Sequence, residues 1–329
     1  MKSIVVFNNK GGVGKTSLLC NIASFLRIRY SKKVIVIDAD PQCNATTYMF
    51  PYENIEKIYK DDSTIYEIIK PIQKGRGYIR SELPIIKSPF FDIDVIPGDT
   101  RLSLSEDFLS KDWLDSKAGD SRGLQTTLVF KDLLFKLKDY DYVFFDVGPS
   151  LGALNRAVLA SSDYYIVPMS SDIFSLKALE NISNALNQWK NQLNKGLEEY
   201  KLKENEDFKI EDETIGWNLQ FGGYITQQYK AKMVNNQIVP VNAYERIIKK
   251  IPDAIEKYLV SINSRAIRFH QIGQIKNLHS LIPLSQSSNV PIFNLKAEHG
   301  VVGAHFNKVR EYEETLKDIA NKLIQNIEL

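Results

Sequence analysis

The sequence predicts an α/β fold: a doubly wound, mostly parallel sheet flanked by helices on both faces. Three observations predict it. The first forty residues read strand, Gly-rich turn, helix, strand, which is the parallel crossover unit. Short, continuously apolar runs then recur with helical patterns between them, as strands buried on both faces require. Two of those runs end in aspartate, where the carboxyl ends of parallel strands open on a ligand crevice. The expected strands are Ser3–Phe7, Lys33–Ile37, Ile93–Ile96, Tyr142–Asp146, Tyr164–Pro168, Phe221–Thr226 and Leu278–Pro283. A helix is expected over Ser17–Tyr30. Insertions are expected at 48–90 and 186–215 of one domain spanning 1–329; residues 48–90 read as an insertion or a helix-and-loop segment, and 189–215 as a solvated helix end and surface loop.

Composition narrows the class. The 329 residues are 43% hydrophobic and 25% charged, ordinary for a soluble globular chain that needs no staples. Two cysteines, Cys20 and Cys43, form no CxxC pair, so neither a disulfide framework nor a cysteine-built zinc site is expected. His270, His279, His299 and His305 fit no HExxH spacing. No apolar run reaches the ~18 residues of a membrane span, and the N-terminus lacks a signal-peptide pattern. A cytoplasmic protein is expected. Net charge is +2, yet residues 225–276 hold nine Lys/Arg against three Asp/Glu. Such asymmetry points to an anionic partner.

The strongest chemical signal is Lys10-Gly11-Gly12-Val13-Gly14-Lys15-Thr16-Ser17, between the first strand and the first helix. Glycines let backbone N–H groups wrap a triphosphate at a helix N-terminus. Lys15 supplies a point charge for the terminal phosphates, and the Thr16 hydroxyl is placed to ligate Mg²⁺. Gly11 to Ser17 are thus the candidate ATP-binding residues. A standard Walker A loop has glycine where this chain has Asn9, and it lacks the leading Lys10. KGGVGKT resembles the deviant Walker A motif of the ParA/MinD ATPases. The resemblance implies that Lys10 reaches across a dimer to the partner's nucleotide, as an arginine finger does.

The acidic motifs agree. The second strand runs into Asp38-Ala39-Asp40-Pro41-Gln42-Cys43-Asn44-Ala45-Thr46, similar to the family's DxDPQxNAT segment. By that resemblance Asp40 positions or activates the attacking water, and Asp38 supports the Mg²⁺ shell. Tyr142–Asp146 is an apolar strand ending in acid, the Walker B pattern, whose carboxylate holds Mg²⁺. Val147-Gly148-Pro149-Ser150-Leu151-Gly152 follows, with Gly148 where relatives usually carry a first proline. Residues 282–304 resemble the family's C-terminal loop over the base, which places Pro283 near adenine. Leu284 stands where an arginine is common.

The partner is read from charge. Lys230, Lys232, Arg246, Lys249, Lys250, Arg265, Arg268 and Lys276 could form a phosphate-binding stripe. The C-terminal stretch Asn307–Leu329 is near neutral, unlike a membrane-surface helix, and reads as a packing helix. The expected function is an ATP-dependent, dimerising ATPase switch of ParA type. Its ATP-bound dimer binds DNA without sequence preference to position DNA or cargo, and a ParB-like or other stimulating protein resets it. The alternative is an ATP-gated protein-interaction regulator with little DNA affinity. An iron–sulfur relative would need more interface cysteines than Cys20 and Cys43 supply.

Overall fold

In the computed structural model, residues 1–170, 172–227, 247–276, 278 and 280–328 are described. Within these, the core is an eight-stranded sheet. Its strands are β1 (Lys2–Val6), β2 (Val34–Asp38), β3 (Ile86–Lys87), β4 (Asp94–Ile96), β5 (Tyr142–Asp146), β6 (Tyr164–Ser170), a strand over Gln220–Gln227 and a last one over Gln271–Ile275. Lys209–Ile210 and Glu213–Thr214 form a separate hairpin, β7–β8, so the last two sheet strands are β9 and β10. The order is β10-β9-β6-β1-β5-β2-β4-β3, parallel except for β3 against β4. β1 sits between β5 and β6, in register Val6 to Asp146 on one side and Val6 to Ile166 on the other. The loop after β1 therefore opens at the crevice where the winding direction reverses.

Alternation along each strand feeds two cores. Val5, Ile35, Ile37, Val143 and Phe145 face one layer, and Ile4, Val6, Val34, Val36 and Phe144 the other. The strand interiors are buried on both faces, so their sequences are uniformly apolar rather than alternating. Helix α1 (Lys15–Tyr30) begins at Lys15, because Gly14 at φ 70° turns the chain straight into it. It packs on the second layer with the C-terminal helix His305–Ile327. That helix buries Val309, Tyr312, Leu316, Ile319, Leu323 and Ile327, a stripe at helical spacing.

Three expectations change. Leu278–Pro283 is no strand: a helix runs Leu281–Ser288, with Pro283 in its first turn, where a missing N–H costs nothing. The strand instead is QIGQI at Gln271–Ile275, whose Gly273 is required because a Cβ there would lie 2.3 Å from Ile319 Cγ1. Residues 48–90 hold the end of α2 (Asn44–Met49), α3 (Tyr52–Lys60) and α4 (Tyr66–Gln73), but they also contribute the edge strand β3 and are not a detachable surface piece. Ile65, Ile68, Ile69 and Ile72 are buried in the first core, each contributing roughly 2 kcal/mol.

The remaining helices before β6 are α5 (Ser105–Ser116), α6 (Ser121–Thr127), α7 (Val129–Lys136) and α8 (Ala153–Ser161). In the 186–215 segment, α9 (Ile173–Glu204) runs 32 residues and buries Leu179, Ile182, Leu186, Trp189 and Leu193. The hairpin β7–β8 follows, turning on Glu211 and Asp212 at φ 49° and 66°. Both cysteines are buried and free.

Candidate functional site

The loop between β1 and α1 is shaped by its neighbours. Asn8 is fully buried; its Nδ2 donates to the Pro168 carbonyl on β6 at 2.8 Å, and its Oδ1 accepts from the Lys10 N–H. Gly12 and Gly14 take φ of 72° and 70°, the left-handed region that glycine enters without penalty. The loop is thus curled over the α1 N-terminus, where unsatisfied N–H groups and the helix dipole favour an anion.

Around it stand the charged groups. Lys15 is 8% exposed, and its Nζ reaches back to the Lys10 carbonyl at 3.3 Å. Burial lowers its affinity for its proton, while Asp146 and Asp40 oppose that effect. Thr16 Oγ1 donates to Asp146 Oδ2 at 2.8 Å. Asp146 Oδ1 is buried without a partner among the described residues. Burial first, then the nearby Asp38, pushes the Asp146 carboxyl well above the carboxylate range. Asp38, also fully buried, is pushed up to about 6, chiefly by burial. Three carboxylates thus share the crevice with Lys15. An orphaned oxygen beside a threonine hydroxyl, in an excess of negative charge, fits a hydrated divalent cation. Thr16 and Asp146 would hold Mg²⁺, which would neutralise phosphate charge when bound with nucleotide.

Asp38 is held by a set of hydrogen bonds. Its Oδ2 accepts from Thr46 N–H at 2.8 Å and Thr46 Oγ1 at 2.7 Å, and its Oδ1 accepts from Asp40 N–H at 3.3 Å. Gly98 N–H donates to Thr46 Oγ1, and a Cβ on Gly98 would lie 2.8 Å from Asp38 Cγ. Asp38 therefore anchors the loop that carries Asp40. Asp40, 6% exposed, accepts the Gln42 N–H through Oδ1. A Cβ on Gly148, in the loop after β5, would lie 3.2 Å from that same oxygen. Asn155 Nδ2 holds this loop, donating to Gly148 O at 2.7 Å and Ser150 O at 2.8 Å. Thr46 closes the DxDPQxNAT-like segment, whereas nothing in the sequence singled out Gly98 or Asn155.

Lys10 lies on the rim, its side chain 29% exposed. Its Nζ donates to Ser170 Oγ at 2.9 Å and pairs with Asp172. Burial works against the Asp172 carboxylate, but Lys10 and Ser170 outweigh it and hold its pKa below the usual range. Within one chain the lysine is therefore turned onto its own β6–α9 junction. Pro283 is exposed on the helix Leu281–Ser288, and its neighbour Leu284 packs toward Gly300. That helix is tied to α1 and α2. Tyr48 OH accepts from Asn21 Nδ2 at 3.0 Å and meets Ser285 Oγ at 2.5 Å; Asn21 Oδ1 accepts the Ile292 N–H.

Among the described residues, Lys249, Lys250, Arg265, Arg268 and Lys276 do not gather into one stripe. Lys230, Lys232 and Arg246 lie outside the described residues. Arg265 lines a cleft with Met1, Lys2 and Asp163, at the amino ends of the strands, and Arg268 lies over the Phe269 ring before β10. Lys276 follows β10 at the carboxyl end and pairs with Glu311 at 3.5 Å. Lys249 and Lys250 are exposed just before the helix Ile251–Ile255.

The chain is similar to known proteins. The family described as "AAA domain" matches residues 1–199. The virulence plasmid ParA family protein pGP5-D of Chlamydia psittaci is 29% identical over 270 residues, covering 82% of this chain and 91% of that protein. The sporulation initiation inhibitor protein Soj of Bacillus subtilis is 29% identical over 202 residues, 60% of this chain and 69% of its own. Among solved structures, protein DIP2308 of Corynebacterium diphtheriae superposes with TM-score 0.72 at 29% identity, covering 88% of this chain and 97% of that one.

Proposed function

This chain belongs to the ParA/Soj/MinD-type P-loop ATPases and hydrolyses ATP, and we propose that it does so as a dimerising switch that positions DNA or another cargo. The ATP-bound dimer binds DNA without sequence preference, and a stimulating protein partner resets it by accelerating hydrolysis. Lys15 holds the terminal phosphates, Thr16 and Asp146 hold Mg²⁺, and Asp40 orients the water. Lys10 leaves Asp172 to complete the site of the second copy. The catalytic effect is positional and electrostatic, as phosphoryl transfer requires. Among the described residues no helix is long and apolar enough to cross a membrane; the reading places the protein in the cytoplasm, on DNA when ATP is bound.

The observation that carries this reading is the division of labour between the two lysines. Lys15 is buried among the carboxylates, whereas Lys10 stands on the rim with a cis partner it can exchange for a phosphate. The second reading, an ATP-gated protein-interaction regulator, is favoured by one observation: Arg265 and Lys276 sit at opposite ends of the sheet.

Light scattering of Asp40→Ala with ATP and Mg²⁺, with and without a short random duplex, separates the two. A dimer that carries DNA supports the first reading. If about four phosphates are neutralised, affinity drops about two orders of magnitude between 50 and 200 mM salt. A dimer that ignores DNA supports the second, and a monomer under all conditions removes both.

A further inference from the structure

The loop joining β5 to α8 touches both halves of the hydrolytic site. Pro149 Cγ lies 3.9 Å from where a Cβ on Gly11 would stand, and Gly148 faces Asp40 Oδ1. Gly148 is buried, so its carbonyl cannot turn to bulk water. A loop in this position has to be held, because its glycine imposes no restraint of its own. Asn155 does the holding. It is 2% exposed, in the first turn of α8, and both hydrogens of its amide are spent on the Gly148 and Ser150 carbonyls.

Asn155 is itself set on a fixed frame. Gly152, at the N-cap of α8, has no side chain to satisfy the first N–H groups. Glu106, from α5, does so instead: its Oε2 accepts from Ala153 N–H at 2.7 Å and its Oε1 from Leu154 N–H at 3.3 Å. The carboxylate also complements the positive end of the helix. One turn on, Arg156 lies over the Trp113 ring of α5 at 4.4 Å. α8 is thus locked to α5, and from it Asn155 reaches back to the loop.

We propose that Asn155 is a positioning residue for ATP hydrolysis: by fixing the Gly148 and Ser150 carbonyls it keeps the loop against Asp40 and so fixes the carboxylate that orients the water. The inference rests on the assignment of the water to Asp40. It concerns the hydrolytic step and leaves phosphate binding, which runs through the loop after β1, untouched. Misplacement of a reacting group by about 1 Å costs on the order of 100-fold in rate.

The test compares Asn155→Ala, Gly148→Ala and their double variant with the parent chain. Three quantities are measured: kcat for Mg·ATP, the Kd of a fluorescent ATP analogue, and Tm. Gly148→Ala adds a methyl against Asp40 Oδ1 and disturbs the same contact from the other side. Each single variant is expected to lose about 10- to 100-fold in kcat with Kd within about threefold. The double variant is expected to be no slower than the worse single one, since residues acting through one contact are not additive. An Asn155→Ala protein within twofold of the parent in kcat overturns the proposal. So does a parallel loss of kcat and affinity, or a double variant whose losses multiply. Should Asn155→Ala fail to fold, Asn155→Ser, which keeps the position polar, carries the same comparison. Asp40→Ala measured alongside tells the two assignments apart: normal hydrolysis there refutes the role of Asp40, whereas a dead Asp40→Ala beside a normal Asn155→Ala refutes Asn155 alone.

Discussion

Charged residues crowd both ends of the central sheet, on opposite terms. At the carboxyl ends, Lys15, Asp38, Asp40 and Asp146 are all at most 8% exposed, and Asp146 keeps an oxygen with no partner among the described residues. At the amino ends, Asp163 accepts from Ser3 N and Oγ and lies 4.0 Å from Lys131, while Lys2 rests over the Tyr164 ring. The second set is satisfied within the chain and open to water, so it costs and contributes little. The first set is buried and unbalanced, a state that protonation or a bound cation relieves and that points to a functional site. Uncompensated burial, rather than charge density, marks where this molecule works.

The comparison breaks most visibly at its two lysines. Lys15→Ala is expected to abolish nucleotide binding in a direct titration, whereas Lys10→Ala is expected to bind ATP and lose hydrolysis. Normal turnover by Lys10→Ala would show that the rim lysine stays with Asp172 throughout the cycle. An intermediate effect is expected from pH. A carboxyl whose pKa is higher in the fold than in the unfolded chain holds its proton more tightly when folded. The stability it contributes is complete below about pH 4 and lost as pH rises through about 6, where Asp38 ionises, and the Asp146 carboxyl is shifted in the same direction. The nucleotide-free chain should therefore melt lower at pH 8 than at pH 6. Asp146→Asn should flatten that slope and also abolish the rise in Tm that Mg²⁺ with nucleotide gives the parent. An unchanged slope in Asp146→Asn would mean that its burial is compensated after all. The smallest effect belongs to the amino ends: Arg265→Ala with Arg268→Ala should leave ATP turnover within about twofold, and a larger change would couple that end of the sheet to the site.

The contrast also explains what could be read in advance. The loop Lys10–Ser17 is contiguous in sequence, because one turn of chain supplies the phosphate cradle, and β2 and β5 each carry their aspartate at the end of an apolar run. Buried parallel strands announce themselves by uninterrupted apolar runs. β10 did not, since Gln271, Gly273 and Gln274 dilute it and its glycine answers to Ile319, 46 residues away. The β7–β8 turn carries no Gly or Asn at its left-handed positions, so the usual hairpin signature was missing. Long-range partnerships were equally silent. Lys10 and Asp172 are 162 positions apart, and Glu106 caps a helix 47 positions away. The basic residues of 225–276 are close in sequence, but strand direction sends Arg265 and Lys276 to opposite ends.

The chain of hydroxyls and amides joining Asn21, Tyr48, Ser285 and the Ile292 N–H has a consequence for how this protein can change. Each member is buried and answers to another on a different element. Replacing one strands its partner at a cost of about 1–3 kcal/mol, so the set accepts coordinated substitution far more readily than stepwise drift. A C-terminal segment transplanted from a relative would have to bring its matching α1 and α2 residues along, which makes three distant stretches of sequence a single unit of inheritance.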